Sequence, residues 1–490
     1  METMEQSSSG QPLPRATWQS YLLDLVRAPA RAKAALAGCF ILMTLSPAGL
    51  SAMMPFITAS FSHHTGKPMP EAILLFVAIP LLISPFILPI AGAWVDRLGA
   101  KRVAIPASIL YAAATALVPV SNAFPGLLGV MIVLASVFGF MASLAVVFKV
   151  VTGWFPRHRG IGFALLGTVS SLASAMFSPL FQWMIDGDKT GFAGLGWAGT
   201  YYAVATAIAV LAVPATLFLL SEPAHAMGPS FPKPSRNKAD LEDVPGVPMG
   251  SALRSRTWIC IALSLALAAA GPMAVRQNAV IFFAERGFDP ATVAISQSVL
   301  FVASIVGLFL GGMILDRARR PWVIVPLLAT VPVGLVLSYF NHGNVPLLFI
   351  STTFLGFATG AESSLGPFLI ARYFGLKCFA QLQGLTLAIS TLALGMAPFL
   401  VSALQTAMGS YSVPFAALTA LTILAVLLAF LLPKYPAEWI QPADLDRLTP
   451  HTEMLALESN PDQGVARFRG LEPVGTLPMS DKTPAQNNSR

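Results

Sequence analysis

Residues 92–97 read Gly-Ala-Trp-Val-Asp-Arg, and residues 312–317 read Gly-Met-Ile-Leu-Asp-Arg, 220 positions further along the chain. A second pair follows nearly the same offset, because residues 154–156 (Trp-Phe-Pro) are echoed 219 positions later by residues 373–375 (Tyr-Phe-Gly). Each element follows a long apolar run, at equivalent points of the two halves of the chain. Two matches at one offset are not expected from composition alone, so the sequence predicts two similar halves in parallel repeat.

The composition indicates a membrane protein, because 55% of the residues are hydrophobic and only 11% are charged. Soluble domains carry roughly 25% charged residues, so this much apolar surface calls for lipid as its solvent. The three cysteines stand apart, and no zinc-ligand spacing, nucleophile/base pair or phosphate-cradling loop is visible. We therefore expect no enzyme, no metal and no cofactor. The net charge of +7 is spread over short clusters, so we expect no nucleic-acid partner either.

Apolar runs long enough to cross a bilayer, which takes about 20 helical residues, recur along the whole chain. They predict an all-α polytopic membrane protein with twelve transmembrane helices in two six-helix repeats. The expected parts are a cytoplasmic N-terminal segment (1–33), a first bundle (34–220), a cytoplasmic linker (221–256), a second bundle (257–432) and a disordered cytoplasmic tail (433–490). The runs lie at 34–61, 71–95, 101–121, 124–153, 158–186, 197–220, 257–284, 289–315, 321–341, 345–374, 377–408 and 410–432.

The basic residues gather at one end of the predicted bundle. The other end keeps only Lys67, Lys189 and Arg286. Under the positive-inside rule, this asymmetry predicts that both termini are cytoplasmic. We expect a multi-pass protein of a bacterial inner membrane. The basic end collects Arg27, Arg31, Lys33, Arg97, Lys101, Arg102, Arg157, Arg159, Arg254, Arg256, Arg317, Arg319, Arg320, Arg372, Lys377 and Lys434.

Residues 92–102, with the pattern Gly-x-x-x-Asp-Arg-x-Gly-x-Lys-Arg, resemble the loop signature between the second and third helices of the major facilitator superfamily. Within that superfamily, residues 154–160 (Trp-Phe-Pro-Arg-His-Arg-Gly) look like the monocarboxylate and oxalate/formate porter branch. The stretch from Gly360 to Gly375 is similar to that branch as well. The resemblance covers nearly the whole chain outside its tails. It implies secondary transport by alternating access, in a fold that commonly works as a monomer.

Two charged residues lie inside predicted helices, where insertion of a charge costs roughly 2.5–3.5 kcal/mol at mid-membrane. Arg276 lies one turn beyond Pro272 in the seventh run, and Glu362 lies near the middle of the tenth. The resemblance places both in the central cavity, which the first, fourth, seventh and tenth helices line in this superfamily. We interpret Arg276 and Glu362 as substrate-binding residues and Glu362 also as the proton-coupling group. Two alternatives stay open, namely an ion pair between them and an Arg276 that reaches the outer surface.

The repeated Asp-Arg pairs are candidates for gating. Asp96, Arg97, Asp316 and Arg317 lie at equivalent helix ends, where charge pairs and helix dipoles could latch the cytoplasmic side. The alternative is a plain topology signal combined with helix capping. Lys149, near the inner end of the fourth run, is expected to extend to the cytoplasmic surface rather than to bind substrate.

Small residues recur along two of the predicted helices. The fifth run carries Gly167 and Ser174, and the eleventh carries Gly384 and Gly395. Faces of this kind allow helices to pack closely. In a protein of two halves they would also let the halves approach each other and rock.

These observations favour proton-coupled uptake or exchange of an organic monocarboxylate. The expected partners are a small anionic solute, protons and the lipid bilayer. One alternative is export of amphipathic compounds, which the flexible methionines of the apolar helices would suit. Another is a non-transporting membrane receptor or scaffold.

Overall fold

Long apolar helices make up the computed structural model, which describes residues 29–154, 159–187, 192–221, 246–317, 320–375 and 378–436. Eleven helical stretches in this part of the chain are long and apolar enough to cross a membrane. The 28-residue helix Arg159–Asp186 completes a bundle of twelve, and the predicted all-α fold is confirmed. The helices are α1 (Ala30–Thr65), α2 (Met69–Val95), α3 (Ala100–Ala123), α4 (Gly126–Val151), α5 (Arg159–Asp186), α6 (Gly196–Leu219), α7 (Arg256–Ala284), α8 (Pro290–Arg317), α9 (Pro321–Tyr339), α10 (Val345–Phe374), α11 (Phe379–Met408) and α12 (Ser412–Phe430).

Helix α10 begins and ends where local chemistry demands it. The side chain of Asn344 accepts a hydrogen bond from the backbone N–H of Leu347 at 3.1 Å, which pairs one of the free amides of the first turn. Gly375 follows the last residue with φ 69°, a conformation that costs glycine little. These two signals explain why the predicted bounds, 345–374, coincide with the observed ones.

Helix α1 is interrupted at residues 45–48, a stretch that contains a proline. Side chains of neighbouring helices donate to carbonyls in and beside this interruption. The Tyr111 hydroxyl of α3 donates to the Leu45 carbonyl at 3.2 Å, and the Ser174 hydroxyl of α5 donates to the Gly49 carbonyl at 2.9 Å. Irregular backbone survives at membrane depth only with such partners, because lipid supplies none.

Each half of the bundle has its own apolar core. In the first half, Phe61 is fully buried with its ring centroid 5.1 Å from the rings of Phe76 and of Trp197. In the second half, Phe282 stacks on Phe415 with ring centroids 4.1 Å apart. The predicted linker lies largely outside the described residues, so its bounds stay a prediction, as does the tail.

The closest helix packing joins α8 to α10. A Cβ atom added at Gly360 would lie 1.8 Å from the carbonyl oxygen of Ser304, and one added at Gly356 would lie 2.1 Å from that of Leu300. Both contacts are with backbone atoms, which cannot move aside as a flexible side chain can. The glycines therefore permit an approach that no other residue would allow.

Gly360→Ala is accordingly expected to destabilise the protein by about 1–3 kcal/mol, the usual cost of overpacking. The measurement is the melting temperature of the detergent-purified protein. Gly312→Ala, on α8, is the matched control, because an added Cβ there has no atom within 4 Å. Equal melting temperatures for the two variants would contradict the assigned packing.

The two halves contact each other at one end of the bundle. We call the end that carries Lys33, Arg97 and Lys101 the basic end, and the opposite one the far end. Toward the far end, the Ser298 hydroxyl of α8 donates to the Ala175 carbonyl of α5 at 2.6 Å. Apolar residues of the second half also pack there on the core of the first, among them Met273, Val280, Ile281, Ala294, Leu394 and Phe399.

Two small residues nearer the basic end make no such close contact. A Cβ added at Gly395 would lie 3.3 Å from the Ala78 carbonyl oxygen of α2, so this glycine packs between the halves. At Gly384, three turns closer to the basic end, an added Cβ has no atom within 4 Å, and the same holds for Gly167. The expected close packing is therefore present at Ser174 and Gly395 and absent at the other two positions in this conformation.

Candidate functional site: a central cavity between the halves

A cavity of about 570 Å³ lies between the two halves, a size typical of pockets for small organic molecules. Side chains of α1 to α6 line one wall, and side chains of α7 to α11 line the other. The described contacts between the halves, such as Ser298 with Ala175, lie toward the far end. Most of its lining is apolar, with hydroxyls, two glutamines and two charged side chains interspersed.

Arg276 of α7 lies in this cavity, at the seam between the halves. Its Nη1 is 3.4 Å from the hydroxyl oxygen of Ser51 on α1, and its Nη2 is 2.9 Å from the sulfur of Met273. The guanidinium also lies over the ring of Phe301 on α8, 5.5 Å from the ring centroid. These contacts are neutral, so the cation has no anionic partner among the described residues. The alternative that Arg276 extends to the outer surface does not occur.

Glu362 of α10 lines the same cavity and is partly exposed to it. Within the described part of the chain, Lys67 and Glu71 form a salt bridge, whereas Glu362 and Arg276 do not. The ion pair that the sequence left open is thus not formed in this conformation. The structure brings both predicted residues to one cavity, while their roles in binding and proton coupling stay predictions.

Several polar residues of the cavity were not identified from the sequence. Gln277 follows Arg276 on α7, Thr115 faces the cavity from α3, and Gln383 faces it from α11. A signal for Gln277 was present, because Arg276, Gln277 and Asn278 form an unbroken polar run inside an apolar span. Ser51 and Phe301 carried none, since their importance comes from contact with Arg276, across the seam for Ser51 and within the second half for Phe301.

The predicted gating residues lie at the basic end. Arg97 and Arg317 are exposed there, and the side chains of Asp96 and Asp316 lie outside the described set. The latch therefore stays a prediction. Lys149 does not line the cavity, and its ammonium donates to the Val95 carbonyl at the end of α2, at 2.7 Å.

The structure is a membrane-spanning bundle of two six-helix halves, and the cavity between them holds an arginine and a glutamate. This is the architecture of a transporter. The sequence profile of the Major Facilitator Superfamily matches residues 39–284 and 278–461. The chain belongs to this superfamily, whose members are in general secondary transporters.

Two curated relatives resemble the chain at low identity. The MFS transporter asaE of Aspergillus flavus is 26% identical over 330 residues, which cover 66% of this chain and 69% of that protein. Monocarboxylate transporter 13 of Bos taurus is 23% identical over 294 residues, 60% of this chain and 64% of that protein. The alignment thus spans less than two thirds of the cattle protein.

Solved structures share the fold. A bacterial homolog of the human lysosomal transporter Spinster, inward-facing and unoccupied, matches with a TM-score of 0.63 and 13% identity, over 83% of this chain and 97% of that one. The nucleoside transporter NupG matches with a TM-score of 0.64 and 15% identity, over 81% of this chain and 99% of that one. These likenesses confirm the twelve-helix, two-repeat arrangement.

Proposed function

We propose that the protein is a proton-coupled transporter of an organic monocarboxylate. The solute would cross the membrane as the two halves rearrange and open the cavity first to one side and then to the other. The supporting observation is the guanidinium of Arg276, which lies in the cavity with only Ser51, Met273 and Phe301 as described partners. A cation inside the membrane is costly unless an anion or a polar network balances it. A substrate carboxylate would supply that balance through two parallel hydrogen bonds to the guanidinium.

Charge balance also suggests how a proton would be coupled to the solute. Arg276 and Glu362 are the only Asp, Glu, Lys, Arg or His residues among the described lining residues. An empty cavity is neutral when Glu362 is ionised, and a cavity loaded with a carboxylate is neutral when Glu362 is protonated. Every other combination carries a net charge that is expensive to enclose in a low-dielectric protein. The halves would therefore rearrange readily only when proton and solute are both present or both absent.

We also propose that the cavity opens toward the basic end, because the described contacts between the halves lie toward the far end, and that the basic end is cytoplasmic, as the positive-inside rule predicts. Both termini would then be cytoplasmic, and the cavity within a single chain is consistent with a monomer. The two curated relatives come from a fungus and from cattle, so the bacterial inner membrane stays a prediction.

The test is uptake of labelled monocarboxylates, small and aromatic, into proteoliposomes under an imposed inward proton gradient. We expect accumulation above the external concentration, and loss of that accumulation when a protonophore collapses the gradient. Proteoliposomes without a gradient, and protein-free liposomes with one, are the controls. If no carboxylate moves while the reconstituted protein is monodisperse and melts cooperatively, the proposal fails.

Export of amphipathic compounds is a second candidate, and the lining supports it. Met53, Met54 and Met273 line the cavity together with Phe76 and Phe140, and methionine adapts to ligands of varied shape. Neutral or cationic amphiphiles that bind more tightly than any carboxylate would favour this function. This function would be identified by movement of an amphiphile out of the compartment that the basic end faces, driven by protons that flow in the opposite direction.

A further inference from the structure

Gln277 is a buried amide whose side-chain oxygen lacks a hydrogen-bond partner among the described residues. It follows Arg276 on α7, lines the same cavity, and only 1% of its surface is exposed. Its side-chain oxygen accepts no hydrogen bond from any residue that the structure describes. A buried polar group left unpaired costs about 1–3 kcal/mol, so such groups are uncommon and call for an explanation.

The amide of Gln277 lies close to the guanidinium of Arg276. Both side chains approach the sulfur of Met273, with the Arg276 Nη2 at 2.9 Å and the Gln277 Nε2 at 3.9 Å. The sum of these distances, about 6.8 Å, is the largest separation that the two nitrogens can have. A group within a few bonds of a carboxylate bound to Arg276 is therefore within reach of Gln277.

The chemistry of the unpaired oxygen restricts what can bind it. An amide oxygen only accepts hydrogen bonds, and an ionised carboxylate only accepts them too. A solute that pairs this oxygen must then do so with an O–H or N–H group outside its carboxylate. We infer that the substrate is a carboxylic acid that carries a hydrogen-bond donor near its carboxylate, and that Gln277 selects for that donor. This inference rests on the proposed function.

Two further residues of the cavity lining support a solute with more than one polar group. Thr115 of α3 is 3% exposed, and its hydroxyl has no partner among the described residues. The side-chain oxygen of Gln383 on α11 is likewise buried and unpaired. Both residues line the cavity, so it offers polar positions in addition to Arg276 and Gln277. A bare alkyl carboxylate would leave all of them unsatisfied.

The experiment compares matched acids that differ by a hydroxyl in place of a methyl group. The pairs are mandelate with 2-phenylpropanoate and 3-hydroxybutanoate with 3-methylbutanoate. The purified full chain is titrated with each acid, and the melting temperature of the protein is followed as the acid concentration rises. The dissociation constant is obtained from that dependence. We expect the wild type to bind the hydroxylated member of at least one pair 10-fold more tightly or better. Gln277→Leu should reduce that preference to less than 2-fold.

Gln297→Leu is the matched control. Gln297 is a second buried amide, on α8, with 1% of its surface exposed and neither side-chain polar atom paired among the described residues. It does not line the cavity, so its replacement should leave the preference for the hydroxylated acid intact.

Each outcome decides the question. Equal binding of both members of each pair by the wild type would overturn this inference while leaving the proposed function standing. A preference that survives in Gln277→Leu, or that is lost in Gln297→Leu as well, would also overturn it. If the folded wild type binds neither member of any pair, the proposed function fails and this inference fails with it.

Discussion

Arg276→Gln is expected to abolish carboxylate uptake, with an initial rate at least about 100-fold below that of the wild type. The physical reason is that removal of one partner of a buried, hydrogen-bonded charge pair costs about 3–5 kcal/mol. Glutamine retains polarity and length but supplies no charge to an anion and no fork of parallel donors. The measurement is the initial rate of labelled-acid uptake into proteoliposomes under the inward proton gradient.

Two further variants make this result specific to the guanidinium in the cavity. Arg276→Lys keeps the charge and loses the fork, so we expect an intermediate rate, about 10-fold below that of the wild type. Arg286→Gln removes an arginine at the far end that lies over the ring of Phe282, 3.7 Å from its centroid, and outside the cavity lining. It should transport normally per folded molecule. Wild-type uptake by Arg276→Gln would show that the anion binds elsewhere.

Glu362→Gln is expected to abolish proton-driven accumulation while sparing exchange of labelled for unlabelled acid. Glutamine imitates the protonated carboxyl permanently. The loaded cavity is then neutral, because the solute balances Arg276. The loaded protein can therefore switch between the conformations open to either side of the membrane. The empty cavity carries an uncompensated positive charge, so its return is slow. Net uptake should fall at least about 10-fold, since enclosing an unpaired charge costs several kcal/mol.

The measurement pairs two assays on the same proteoliposomes, one of uptake under a proton gradient and one of counterflow without it. Glu71→Gln is the control, because Glu71 pairs with Lys67 outside the cavity. Accumulation by Glu362→Gln equal to that of the wild type would show that another group carries the proton. Loss of both activities would place Glu362 in substrate binding rather than in coupling.

The sequence was sufficient to predict the architecture, because the bilayer makes the helices depend on local composition. The run from Val345 to Phe374 is bounded by a capping asparagine and a glycine, and its predicted ends coincide with those of α10. The internal repeat at residues 92–97 and 312–317 established two halves without any knowledge of contacts. Arg276 and Glu362 were identified for a related reason, since a charge inside an apolar run has few structural explanations.

What the sequence could not provide depends on contacts between distant helices. Tyr111 and Ser174 donate to carbonyls in and beside the interruption of α1, and no local pattern predicts those partners. The position of Ser51 beside Arg276 depends on that interruption and on how the halves meet. Whether Arg276 pairs with Glu362 is likewise a question of distances across the second half. Local composition determines none of these.

The apolar contact between the halves at the far end has an electrical consequence. In the proposed conformation, open at the basic end, the cavity would stay close to the potential of the solution there. The membrane voltage would then fall mainly across the packed layer that includes Val280, Ile281 and Phe399. Moving one elementary charge through such a drop requires about 2.3 kcal/mol per 100 mV. A cavity that is neutral both when loaded and when empty does no electrical work as it crosses that layer. The direction of net transport would then follow the concentrations of solute and proton, and the membrane potential would contribute little.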